Sequence, residues 1–78
     1  MAIHEFCTLV QGLDDRATPA GPVRMYPGIG RRGPGAVLAG DLATALGILR
    51  AEGWRLVDGH RTSCAGPQEQ VFTLVRDR

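Results

Sequence analysis

The chain has no lysine, and its nine basic residues are all arginine. Without a Gly-Lys-Ser/Thr ending, the glycine-rich stretch at 28–35 is not a P-loop. Basic and acidic residues nearly cancel, leaving a formal net charge of +1. A sequence-independent nucleic-acid binder carries a strong basic excess, so strong direct nucleic-acid binding is not expected. No apolar run reaches the roughly 20 residues of a membrane-spanning helix. The opening Met1-Ala2-Ile3-His4-Glu5 has neither the basic nor the apolar region of a secretory signal. These absences give the expectation of a soluble chain with no membrane contact, placed in the cytoplasm, which includes a host cytoplasm for a phage-borne gene. Aromatic residues are also few: Phe6, Tyr26, Trp54 and Phe72. There are two cysteines, Cys7 and Cys64. In a reducing compartment they stay as thiols.

A chain of 78 residues is one domain. It buries only about 60–65% of the surface that the unfolded chain exposes, so a partner subunit is a natural source of further stability. The hydrophobic fraction of 44% is ordinary for a folded protein.

Residues 2–11 alternate as a strand, with Phe6, Thr8 and Val10 on one face and Ile3, Cys7 and Leu9 on the other. The stretch 12–22 holds Asp14, Asp15, Pro19, Gly21 and Pro22 and reads as a loop. Val23 to Tyr26 alternates as a short strand that Pro27 and Gly28 end. The run 17–40 is rich in Gly, Pro and Arg, and no regular helix or central strand passes through Gly33. Asp41 then suits an N-cap, and Leu42, Ala45, Leu46 and Leu49 make one helical stripe that Leu38 would extend. Gly53 suits the left-handed position after the helix, with Trp54 packing back on its last turn. Residues 54–58 read as a strand, 59–67 as a loop and 70–76 as a closing strand. The fold class expected from this order is α+β: two layers, with a three- or four-stranded antiparallel sheet packed on one main helix.

The segment Ala51-Glu52-Gly53-Trp54-Arg55-Leu56-Val57, followed by Val71-Phe72-Thr73-Leu74-Val75-Arg76, resembles a small bacterial and phage domain family of unknown function. That family shares an Ala-Glu-Gly-Trp-Glu-Leu-Val passage from helix to strand. The likeness covers residues 42–76. It implies an opening strand, a helix and a closing strand, and no activity. Arg55 stands where the family carries an acid, and the Gly/Pro/Arg loop is longer than the family's.

Four arrangements bear on function. His4-x-x-Cys7 with His60-x-x-x-Cys64 supplies the ligand types of a zinc site, but strand parity puts His4 and Cys7 on opposite faces. Asp58, His60 and Cys64 have the residue types of a thiol nucleophile with an oriented base, without any recognisable motif. The loop from Gly28 to Gly35, carrying Arg31 and Arg32, offers amides and guanidinium groups to an anion, although Asp41 at the following helix start opposes one. Lastly, one helix covers one face of a sheet, while the strands carrying Cys7, Leu9, Val71 and Val75 have apolar residues of both parities. A second copy of the chain is the economical cover.

The leading expectation is therefore a protein-binding module, homodimeric and without catalysis, cofactor or metal. Its contact residues are Arg24, Tyr26, Arg31 and Arg32. Its size also suits a phage-encoded inhibitor of a host defence system, such as an anti-CRISPR protein. The alternatives are a sensor or sponge for an anionic nucleotide, and a cysteine-dependent enzyme or small zinc protein.

Overall fold

A computed structural model describes residues 3–30, 33, 35–62 and 68–77. Five strands and one helix follow in the order β1 (His4–Leu13), β2 (Pro19–Pro27), β3 (Ala36–Leu38), α1 (Leu42–Ala51), β4 (Arg55–Thr62) and β5 (Glu69–Asp77). The sheet order is β3-β2-β1-β5-β4, and every neighbouring pair is antiparallel. Among the described residues, no helix is long and apolar enough to cross a membrane.

This corrects the expected three- or four-stranded sheet on one main helix: there are five strands, and the sheet dominates the fold. A ten-residue helix is about 15 Å long. Five strands, the longer ones of nine or ten residues, make a surface about 19 Å by 30 Å. The extra strand, β3, pairs Ala36, Val37 and Leu38 with Met25, Arg24 and Val23. Two strands also run further than their composition suggests. β2 begins at Pro19 and crosses an irregularity opposite Gln11 and Gly12, where Gly21 takes φ +82°. Its residues 19–22 lie beyond the β3 pairing, so Pro19 and Pro22 leave no ladder bond unmade on that side. β4 passes through Gly59 and His60 to Thr62, held by its pairing with β5.

The helix follows its sequence signals closely. The Asp41 carboxylate accepts from the Thr44 N–H at 2.8 Å, satisfying one of the orphan donors of the first turn. At the other end Gly53 has φ +95°. Its N–H donates to Arg50 O at 3.1 Å, and the Trp54 N–H donates to Leu49 O at 3.0 Å. Together these two bonds form a Schellman stop.

One face of the sheet carries α1. Leu9 and Leu74 are fully buried at its centre, with Cys7, Val23, Ala45, Leu49 and Trp54 around them. Leu38, Leu42 and Leu46 pack at the margin. At one end Arg76 lies over the Trp54 ring, 4.5 Å from its centroid. Its Nη2 donates to both Glu5 carboxylate oxygens, at 3.1 and 3.2 Å. This contact ties the end of β5 to the start of β1 and the end of the helix.

Candidate functional site

The register places Phe6, Thr8 and Val10 of β1, Arg24 and Tyr26 of β2, and Val71, Thr73 and Val75 of β5 on the opposite face. Among the described residues no helix covers this face. Part of it is covered by the chain leaving β2. The Gly28 N–H donates to Phe6 O at 2.8 Å. Thr8 Oγ donates to Gly28 O at 2.9 Å, and the Gly30 N–H donates back to Thr8 Oγ at 3.0 Å. Further on, Gly35 sits at φ +66° against the Tyr26 ring, where an added Cβ would lie 2.7 Å from Cε1. Thr8 and Tyr26 are buried as a result. Of the glycine-rich segment, the described residues Gly28, Gly30 and Gly35 thus act as a strap against the helix-free face.

Beside the strap, Phe6, Pro27, Gly28 and Ile29 line an open groove of about 590 Å³. Phe6 is 38% exposed and Ile29 65% exposed. Toward the other end of the face, Val10, Pro22, Arg24, Tyr26 and Glu69 are among the residues around a depression of about 340 Å³. Its floor is the buried Val10. Arg24 is exposed at its rim and has no hydrogen-bond or ion-pair partner among the described residues. Near Phe6, the His4 imidazole Nδ1 meets Asp77 Oδ1 at 2.6 Å, and Arg55 lies 3.6 Å from the other Asp77 oxygen. Apolar floor and groove, polar rim and one uncommitted guanidinium make a surface suited to contact with another macromolecule.

Of the four expected contact residues, Arg24 and Tyr26 share this face. Arg24 is presented to solvent, whereas Tyr26 is buried at 7% exposure and supports the strap. Arg31 and Arg32 lie outside the described residues. Phe6 and Ile29 were missed as site residues. Phe6 already shared a parity with Thr8 and Val10, and Ile29 is an apolar residue set between two glycines.

The rival chemistries fare as follows. His4 and Cys7 do point to opposite faces, and Cys7 is buried at 2% exposure in the helix-side core. Burial pushes its thiol up to about 11, the nearby Arg76 opposing that shift only in part. Among the described residues no three His, Cys, Asp or Glu side chains gather where a metal ion would fit. Asp58 and His60 meet at 3.3 Å, but on strand β4 rather than in a loop, and both are exposed. Cys64 lies outside the described residues. For an anion, the amides of Gly28 and Gly30 are already donated within the protein. The Thr44 amide in the first helical turn is taken by Asp41, whose carboxyl this bond holds below the usual carboxylate range. Compared with known proteins, the chain matches no family model, no curated protein and no solved structure.

Proposed function

We propose that this chain is a non-catalytic protein-binding module that engages its partner through the helix-free face of the sheet. The observation that supports this reading most directly is the pair of exposed apolar side chains, Phe6 and Ile29, around the open groove beside the strap. Anchors of this kind, bordered by polar groups, carry most of the affinity in protein interfaces. Arg24, uncommitted at the rim of the same face, suits a carboxylate of the partner. A phage-encoded inhibitor of a host defence protein is the narrower form of this reading, and its support is chain length alone.

The test is a pair of charge-reversing or polar substitutions at exposed positions, Ile29→Asp with Arg24→Glu. Both side chains stand clear of the core, so circular dichroism and Tm should match the parent. Crosslinking capture from a cytoplasmic extract, quantified by mass spectrometry, should show a specific protein that the parent enriches and the double variant loses. Equal recovery by both proteins would refute the face as the contact surface. Thermal stabilisation by a nucleotide would instead favour the sensor reading, because a ligand that binds only the native state raises its stability.

A further inference from the structure

Among the described residues, the sheet has one long open edge. β4 is eight residues long and has β5 as its one strand neighbour in the sheet order. The opposite edge, β3, is three residues long. An unpaired strand of that length is a template for another strand. Arg55 to Arg61 are all exposed along it, and Leu56 and Val57 are about half exposed.

The residues of β4 define which strand fits. An irregularity between Leu56 and Asp58 interrupts the ladder, and from Asp58 to Thr62 the pairing is regular. Within that regular part, Asp58 and His60 share the helix-free side, while Gly59 lies under Phe72 on the helix side. The order is acid, glycine, base. A two-fold axis through Gly59 sets Asp58 of one copy opposite His60 of the other, and does so twice. Paired residues in an antiparallel ladder must share a face, and this register meets that requirement. A register shifted by two residues one way sets Asp58 against Asp58, and like charges directly opposite are unfavourable; shifted the other way it sets His60 against His60 and loses both Asp58–His60 pairs. On the helix side, Leu46 and Leu56 border a depression of about 260 Å³ next to the same edge. The second copy's Arg61, which projects on that side, brings its aliphatic stem to it.

We infer that two copies of this chain join by antiparallel pairing of their β4 edges about a two-fold axis at Gly59, forming one ten-stranded sheet. The contact is isologous, so it closes at two copies and leaves at the ends the short β3 strands and the part of β2 beyond them. The paired edge contains none of the residues that line the groove of Phe6 and Ile29, and the two-fold axis places both grooves on the same side of the joined sheet. The inference therefore goes beyond the proposed binding face and does not depend on it.

The test combines mass and register. Sedimentation equilibrium of the parent should give a dimer. His60→Glu, which sets two acid pairs across the axis, should weaken it about tenfold. Adding Asp58→Lys to His60→Glu should restore the parent affinity to within about threefold. In a Cys64→Ser background, a mixture of Asp58→Cys and His60→Cys chains should crosslink under mild oxidation. Neither chain alone should do so. A parent that stays monomeric at millimolar concentration overturns the inference. So does a dimer that His60→Glu leaves intact, or crosslinking by either single variant as readily as by the mixture. Since Asp58 and His60 are exposed, circular dichroism should show their variants folded.

Discussion

The strap over the helix-free face makes a quantitative demand on Gly35. Two glycines in the same segment have similar positive φ, Gly33 at +76° and Gly35 at +66°. They differ in surroundings: a Cβ at Gly33 meets nothing within 4 Å, whereas one at Gly35 lies 2.7 Å from the Tyr26 ring. Gly33→Ala thus tests conformation alone, a cost of about 1–2 kcal/mol for a side chain held in the left-handed region. Gly35→Ala adds the displacement of a buried ring, about 1–3 kcal/mol more. For a chain of this size the whole stability is about 4–12 kcal/mol, so the second variant is close to the limit. Urea unfolding followed by fluorescence of Trp54, the only tryptophan in the chain, reads both. With a slope of about 1 kcal/mol per molar urea, the two midpoints should differ by about 1–3 M. Tyr26→Leu should remove most of that difference, because the smaller side chain leaves room for the methyl group. Equal midpoints for the two alanine variants would refute the packing of Gly35 on Tyr26. So would a Gly35→Ala cost that Tyr26→Leu leaves unchanged.

Four further outcomes are expected. Leu9→Ala, at the fully buried centre of the sheet, should cost about 2–5 kcal/mol, read by the same urea titration. The bond from Thr44 to the Asp41 carboxylate holds that carboxyl below its ordinary value of 3.8. The unfolded chain therefore takes up this proton first as pH falls, and the stability contributed above the ordinary carboxylate range is lost through the folded value. Asp41→Ala should flatten that part of the acid limb in pH-dependent thermal melts. For Cys7 the sign is reversed. Burial pushes the thiol up to about 11 from its ordinary value of 9.0, so stability should fall as pH rises between these values, less so in Cys7→Ala. Native protein at pH 8 should resist alkylation at Cys7, with peptide mass spectrometry showing reaction only in denaturant.

The helix was legible because its signals are local. Asp41, the Leu42–Leu49 stripe and the Gly53-Trp54 stop each act within a few residues, and each recurs in the structure. The sheet was legible only where a strand alternates. β1 and β5 do so, and they are its centre. β3 was hidden because three residues in a glycine-rich run carry no period, and their strand character comes from Val23 to Met25 beside them. The first half of β2 was read as a turn because Pro19, Gly21 and Pro22 are turn residues, yet an edge position tolerates them. His60 and Arg61 were placed in a loop because they are polar, and pairing with Val71 and Gln70 makes them strand. For the candidate site, Arg24 needed only its exposure to be established. The burial of Tyr26 depends on where Gly35 returns, a contact nine residues away that no local rule encodes.

The central ladder joins the two ends of the described chain, with His4 opposite Asp77. Cα atoms in such a pair are about 4.5–5.5 Å apart. The described strands β1 and β5 therefore begin and end side by side, in the middle of the sheet and not at its rim. Tension applied through the two ends would open the β1–β5 ladder like a zipper, one hydrogen-bonded step after another. A domain loaded in this geometry yields at low force however well its core is packed. The same proximity lets a short peptide bridge the two ends, so that the chain can be cut anew in the Asp14–Thr18 turn without parting the central strands.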